Sequence, residues 1–271
     1  MTDRYAVIGN PIEHSKSPFI HQRFAEQTGQ DLGYEKILGD LEYFADDVRE
    51  FFAAGGRGMN VTVPFKEQAW RLADELGPEA RTAGAVNTLT FMEDGRIRGD
   101  NTDGIGLVRD LQQNLGLDLS AKRVLLLGAG GASRGVARPL LEQGVETLVI
   151  ANRTAARAVE LAGDLQVFGR VEGCGLDELA GRSFDLVING TAAGLAGRVP
   201  DIPAGCFAGD AWAYDMMYAV EPTAFVQWAQ QHGAAHAVDG LGMLVEQAAE
   251  SFFLWRGVRP RTETVIKELR S

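Results

Sequence analysis

Short uninterrupted apolar runs alternate with longer amphipathic stretches through most of the chain, and that alternation predicts an α/β fold. The runs at 124–127, 148–150 and 186–188 contain no polar position. A strand with one wet face would alternate. One without alternation is covered on both faces, as in a parallel sheet. The stretches 133–143 and 154–161 have lengths that suit helices. Residues 6–9 read as another strand, entering a turn. Ser17-Pro18 reads as a helix start, with Ser17 as N-cap and Pro18 in the first turn. Phe19, Ile20 and Phe24 give that helix an apolar face, and Gly29 ends it. Residues 60–63 send Asn60 and Thr62 to one face and Val61 and Val63 to the other. Pro64 then begins a helix with Lys66 in its first turn.

Two strands at 86–92 and 96–98 are joined by Asp94-Gly95, a hairpin turn signal. A polar loop, 99–104, leads into a helix at 105–115 with Asp103 as a candidate N-cap. The first hundred residues thus read as one unit, and residues 123 to about 235 as a second. The segment 241–255 puts Leu241, Leu244, Val245, Ala248, Phe252 and Trp255 on one helical face. It is too short to be a domain and must pack on a unit already built.

Composition narrows the function classes. With 45% hydrophobic and 23% charged residues, the 271-residue chain has ordinary globular usage. A formal charge of −11 repels polyanions on average, so no nucleic-acid partner is expected. Cys174 and Cys206 are the two cysteines; with no Cys/His ligand spacing, neither a metal site nor a disulfide framework is expected. No apolar run is long enough to span a bilayer, and the first residues lack a signal-peptide pattern, so a soluble cytoplasmic protein is expected.

The run at 124–127 leads directly into Gly128-Ala129-Gly130-Gly131-Ala132-Ser133, a strand–glycine turn–helix sequence that predicts a dinucleotide site. Gly128 permits the tight turn, Gly130 lets the backbone approach a pyrophosphate, and the helix start offers free N–H groups. Ser133 stands where a third glycine is usual. The next strand ends in Asn152-Arg153-Thr154, with Arg157 one turn on. A carboxylate at that point would accept the ribose 2′-hydroxyl of NAD. Arginines suit a 2′-phosphate, so NADP is the predicted cofactor.

Three polar clusters remain. Ser15 and Ser17 at a helix start suit a carboxylate ligand, or they serve only as caps. Lys66 and Asp103, if they converge near a nicotinamide, supply a proton-transfer pair for alcohol–ketone chemistry. Taken singly, they read as a surface lysine and a helix cap.

Eight motifs occur in order: GNPIEHSKSP at 9–18, NVTVPFK at 60–66, GAVNT at 84–88, GDNTDG at 99–104, GAGGAS at 128–133, NRT at 152–154, DMMY at 215–218 and DGLGML at 239–244. Together they resemble the shikimate dehydrogenases of the bacterial biosynthetic type, over nearly the whole chain. The resemblance implies an N-terminal α/β substrate domain and a Rossmann-like NADP domain with a cleft between them. Residues 1–103 plus 237–271 would form the first domain, and 104–236 the second. It implies NADPH-dependent, reversible reduction of 3-dehydroshikimate to shikimate, on the route to chorismate and the aromatic amino acids. By the same resemblance Lys66 and Asp103 are the catalytic pair. Ser15 and Ser17 bind the substrate carboxylate, and Thr62, Asn87, Asp103 and Gln247 bind the ring hydroxyls. Tyr218 borders the substrate, while Met216 and Gly240 line the nicotinamide end. A monomer or homodimer is expected. The chain departs from the common pattern at 190–194, which reads GTAAG, and after Tyr218, where Thr-Pro is usual and Glu221-Pro222 follows. The alternatives are a quinate/shikimate dehydrogenase of the same superfamily and a sensor that binds NADP and shikimate without turnover. Two small serines and the NRT segment favour shikimate with NADP, and a sensor needs neither Lys66 nor Asp103.

Overall fold

Tyr5, Ala6, Val7 and Ile8 are all buried, and the strand that carries them, β1 (Asp3–Gly9), lies inside a six-stranded sheet. The computed structural model describes residues 2–191, 193–194 and 197–271. The chain divides into two compact units, residues 1–106 with 245–271, and residues 107–244. The return to the first unit therefore falls at Val245 rather than at 237, because the strand at 236–239 belongs to the second sheet.

The first unit continues with α1 (Ser17–Thr28), β2 (Leu32–Leu38), α2 (Phe44–Ala53), β3 (Gly56–Val61), α3 (Lys66–Leu72), β4 (Glu75–Leu76), α4 (Pro78–Ala83), β5 (Thr88–Phe91) and β6 (Ile97–Asp100). Its sheet order is β2-β1-β3-β5-β6-β4. β1 pairs in parallel with β2 and β3, and β5 runs antiparallel to β3 and β6. The Asp94-Gly95 turn closes the β5–β6 hairpin, with Gly95 at φ 85°. One face of this sheet packs Ile8, Met59 and Leu89 against Phe44, Phe51, Phe52 and Phe65.

The second unit takes α5 (Asp103–Arg109), which begins at the end of the first, into β7 (Arg123–Leu127), α6 (Gly131–Leu141), β8 (Thr147–Asn152), α7 (Ala155–Leu165), β9 (Val171–Gly175), β10 (Phe184–Asn189), β11 (Phe207–Asp215), α8 (Ala224–Gln231) and β12 (His236–Asp239). All its strand pairs are parallel, in the order β12-β11-β10-β7-β8-β9. This is the doubly wound order, whose reversal lies between β7 and β10. The apolar runs are uninterrupted because the sheet is covered twice. Val124, Leu126, Leu148 and Ile150 face the cluster that includes Val136 and Leu161, while Leu125, Leu127, Val149 and Ala151 face the one that includes Phe225 and Ala229.

The chain ends with α9 (Leu241–Arg256) and α10 (Glu263–Arg270). As the apolar stripe requires, the distal part of α9 packs on the first unit. Phe252 meets Phe24 edge-on at 5.8 Å, and Trp255 lies 4.8 Å from Tyr5.

Four local expectations are corrected. Ser17 does not cap α1: Lys16 is the N-cap, Ser17 is the first helical residue, and its N–H donates to Ser15 Oγ (3.3 Å). Asp103 is likewise inside its helix rather than capping it. Asn101 Oδ1 accepts the Asp103 N–H (3.1 Å), which leaves the Asp103 carboxylate available elsewhere. The helix after β3 starts at Lys66, not Pro64, because 62–65 closes a turn in which Phe65 N–H donates to Thr62 O (3.0 Å). The helix expected at 105–115 gives way to a π-helical turn at Asp110–Asn114, where Asp110 accepts from the Tyr214 hydroxyl at 2.6 Å.

His21 is fully buried and stacks on Tyr34 at 4.2 Å, and neither ring nitrogen has a hydrogen-bond partner. Burial pushes its pKa down to about 3. Below about pH 6.5 the unfolded chain takes up a proton that the folded one refuses, so stability falls with pH until about 3. At pH 5 this costs about 2 kcal/mol relative to neutral pH. Urea unfolding of His21→Phe and the parent at pH 7 and pH 5 should show the variant losing less by that amount. Equal losses would remove His21 from the acid response.

Candidate functional site

In the first unit the sequence folds so that separate elements deliver side chains to one place. Asn87 precedes β5, Thr102 and Asp103 follow β6, Lys66 opens α3, and Gln247 lies on α9. Val86 N–H donates to Lys66 O (2.9 Å), which ties the start of α3 to the segment that carries Asn87. Lys66 Nζ donates to Asp103 Oδ2 at 2.6 Å, and Asn87 Nδ2 donates to Asp103 Oδ1 at 2.8 Å. The lysine side chain is 20% exposed and the aspartate 8%. The pair is therefore largely dry, and its carboxylate is satisfied at both oxygens. The Asn87 amide has one orientation: its Oδ1 accepts the Thr102 N–H (2.9 Å), so its Nδ2 must face Asp103. Gln247 Oε1 lies 3.4 Å from both Asn87 Nδ2 and Thr102 Oγ1.

Ser15 is half-buried and Ser17 buried beside it. Thr62 N–H donates to Ile8 O, and Asn10 N–H to Val63 O, both at 3.0 Å, so the segment leading to the serines runs beside Thr62. Sequence reasoning missed Asn60 as a hub. It is buried, accepts from the Tyr34 hydroxyl (2.7 Å) and donates to Ser251 Oγ (2.9 Å). A polar residue in the buried β3 was the available signal.

In the second unit a cavity of about 1110 Å³ is lined by Gly128, Ala129, Gly130, Gly131, Ala132, Asn152, Arg153 and Arg157. Gly128 sits at φ 104°, a left-handed conformation that favours glycine. Ser133, the replacement for the third glycine, is fully buried against Gly128 and Gly190. Arg153 and Arg157 have no ion-pair partner among the described residues. Two unpaired guanidinium groups beside an open helix start fit a ligand with a pyrophosphate and a further phosphate. Thr154 lies just outside the lining, as the N-cap of α7, and its carbonyl accepts from Asn152 Nδ2 (2.9 Å). Arg198 also lines the cavity, unforeseen because no spacing ties it to the glycine turn.

Met216 and Gly240 meet where β11 and β12 end, and Tyr218 follows two residues after Met216. Met216 N–H donates to Asn189 O (3.0 Å), and Gly240 N–H to Met217 O (2.9 Å). A Cβ on Gly240 would lie 2.6 Å from Met216 O, so no side chain fits there. Asp215 fixes this corner, accepting from Asn189 Nδ2 (3.0 Å), Thr223 Oγ1 (2.6 Å) and Met217 N–H (3.2 Å). Burial raises its pKa and that of Tyr218. Of the unusual 190–194 segment, Ala192 lies outside the described residues. Cys174 and Cys206 are free and buried, and burial pushes the Cys206 thiol up to about 11. No cluster of metal-ligating side chains occurs among the described residues.

Residues 7–89 match the family described as shikimate dehydrogenase substrate binding domain, 110–196 that described as shikimate / quinate 5-dehydrogenase, and 240–270 the shikimate 5′-dehydrogenase C-terminal domain. A shikimate dehydrogenase (NADP(+)) of Cellvibrio japonicus is 59% identical over 270 residues, covering 100% of this chain and 98% of that one. Among solved structures, an Ael1 enzyme from Pseudomonas putida superposes with a TM-score of 0.93 at 49% identity, over 100% of this chain and 99% of that one. The shikimate 5-dehydrogenase of Thermus thermophilus, solved with NADP(H) and shikimate, gives 0.88 at 36% identity, over 99% of each chain. The chain belongs to the shikimate dehydrogenase family.

Proposed function

We propose that this chain reduces 3-dehydroshikimate to shikimate reversibly with NADPH, using Lys66 and Asp103 as its catalytic pair. The observation that carries the site assignment is the dry 2.6 Å contact between them, flanked by Asn87 and Gln247. NADPH, when bound, supplies the hydride; Gly128, Gly130, Arg153 and Arg157 are the residues that hold it. Lys66 Nζ keeps a proton beside the substrate's C3 oxygen and gives it up as negative charge develops there. Asp103 fixes the ammonium by accepting one of its hydrogens, while its other oxygen is pinned by Asn87. In the oxidative direction the same lysine takes the proton back. Asn87, Asp103, Gln247 and Thr62 orient the ring through its hydroxyls, and Ser15 and Ser17 hold the carboxylate. Tyr218 borders the substrate, and Met216 and Gly240 border the nicotinamide. The enzyme works in the cytoplasm, as a monomer or homodimer. No helix among the described residues is long and apolar enough to cross a membrane.

Initial rates of shikimate and quinate oxidation, each with NADP⁺ and NAD⁺, test the reading. Quinate carries one more ring hydroxyl, which must be buried without a partner in a site built for shikimate. A loss of roughly tenfold or more in kcat/KM is expected. Equal rates for the two acids would make the enzyme a quinate/shikimate dehydrogenase instead.

A further inference from the structure

We propose that Ser251 is a positioning residue that sets the orientation of the substrate-binding side chains Asn87 and Gln247. The proposal rests on the assignment of those two side chains to the substrate. Ser251 is completely buried on α9, one turn beyond Gln247. Its hydroxyl donates to the Gln247 carbonyl (3.1 Å). That uses its single proton, so its lone pairs must serve as acceptors. One accepts from Asn60 Nδ2 (2.9 Å). The other faces Thr88 Oγ1 at 2.8 Å and Thr102 Oγ1 at 3.3 Å.

Thr88 and Thr102 touch the Asn87 side chain, and Asn60 its backbone carbonyl. Thr88 Oγ1 is 2.9 Å from Asn87 Oδ1, and Thr102 supplies both its N–H and its hydroxyl to that same oxygen, at 2.9 and 3.2 Å. Asn60 Nδ2 is also 3.2 Å from the Asn87 carbonyl, and its own orientation is fixed by the Tyr34 hydroxyl. Ser251 thus joins β3, the start of β5 and α9 through one oxygen atom, with Thr102 Oγ1 in contact at 3.3 Å. Without it, Asn60 turns toward its remaining acceptors, Asn87 O and Thr88 Oγ1, both at 3.2 Å. Thr88 loses an acceptor for its hydroxyl, and the Gln247 turn of α9 loses the link to the sheet that runs through Ser251. No hydrogen bond joins Ser251 to the Lys66–Asp103 pair itself. The effect therefore falls on ring binding more than on proton transfer.

The test is steady-state kinetics, with calorimetric binding of shikimate, on the full-length parent, Ser251→Ala and Ser251→Cys. Cysteine keeps the shape, at a slightly larger volume, and gives up the strong hydrogen bonds. Both variants should raise KM and Kd for shikimate about tenfold, the equivalent of one buried hydrogen bond. kcat should stay within about threefold and KM for NADP⁺ should not move. Recovery of KM by cysteine would show that Ser251 acts by packing alone, and an unchanged KM in the alanine variant would show that it does not position the site; either overturns the proposal while the substrate assignment stands. A parent that neither binds nor oxidises shikimate would overturn the substrate assignment, and this proposal with it.

Discussion

Lys66→Met lowers kcat by at least ~10²-fold, the lower end of what a general acid contributes, with little change in KM for shikimate. The magnitude follows from what methionine keeps and what it loses. It retains the aliphatic stem at the start of α3, so packing against the segment that carries Asn87 survives. It removes the only ammonium bonded to Asp103 among the described residues. The C3 oxygen then develops charge with no proton donor at the right place, while the ring hydroxyls still meet Asn87, Thr62 and Gln247. Asp103 keeps its bond from Asn87 but loses its counter-ion. A largely buried carboxylate left in that state destabilises the fold. The rates must therefore be read well below the variant's Tm, with circular dichroism confirming a folded protein. A variant within a few-fold of the parent would take Lys66 out of the mechanism.

Arg153→Ala weakens NADP⁺ binding by roughly ten- to a hundred-fold, the equivalent of one charge-assisted contact of ~1.5–3 kcal/mol. NAD⁺ binding should change far less, because it lacks the 2′-phosphate. The prediction draws its force from the guanidinium having no carboxylate partner among the described residues: nothing in the protein already neutralises it. Arg157 lines the same cavity, so the double variant should lose more than either single one. Equal losses for both dinucleotides would place Arg153 on the pyrophosphate or the adenine rather than on the 2′-phosphate. Titration of each cofactor by intrinsic fluorescence quenching gives both constants.

The parts of the fold that could be read from the residues were those where burial is complete. The runs at 124–127, 148–150 and 186–188 carry no polar residue because each side of that sheet has its own core. β2 left no such mark. It is an edge strand whose residues are half-buried or exposed, and its pattern does not separate it from a loop. Helix starts were misplaced by a residue or two at Ser17, Pro64 and Asp103, where the first turns are set by bonds to Ser15 Oγ, Thr62 O and Asn101 Oδ1 that no local pattern fixes. The site was legible in two different ways. The glycine turn and Arg153 follow from local chemistry. The meeting of Lys66 with Asp103, 37 positions apart, came only from the ordered motifs, because convergence is a property of the sheet. The Asn60–Ser251 bond spans 191 positions, and neither residue's surroundings in the chain announce it.

The most direct measurement is absorbance at the NADPH band when the purified protein meets shikimate and NADP⁺ together. The predicted result is a steady rise that scales with enzyme concentration, reverses with 3-dehydroshikimate and NADPH, and collapses in Lys66→Met. A flat trace at high enzyme concentration, with both ligands shown to bind, would contradict it and leave a protein that recognises shikimate without transforming it.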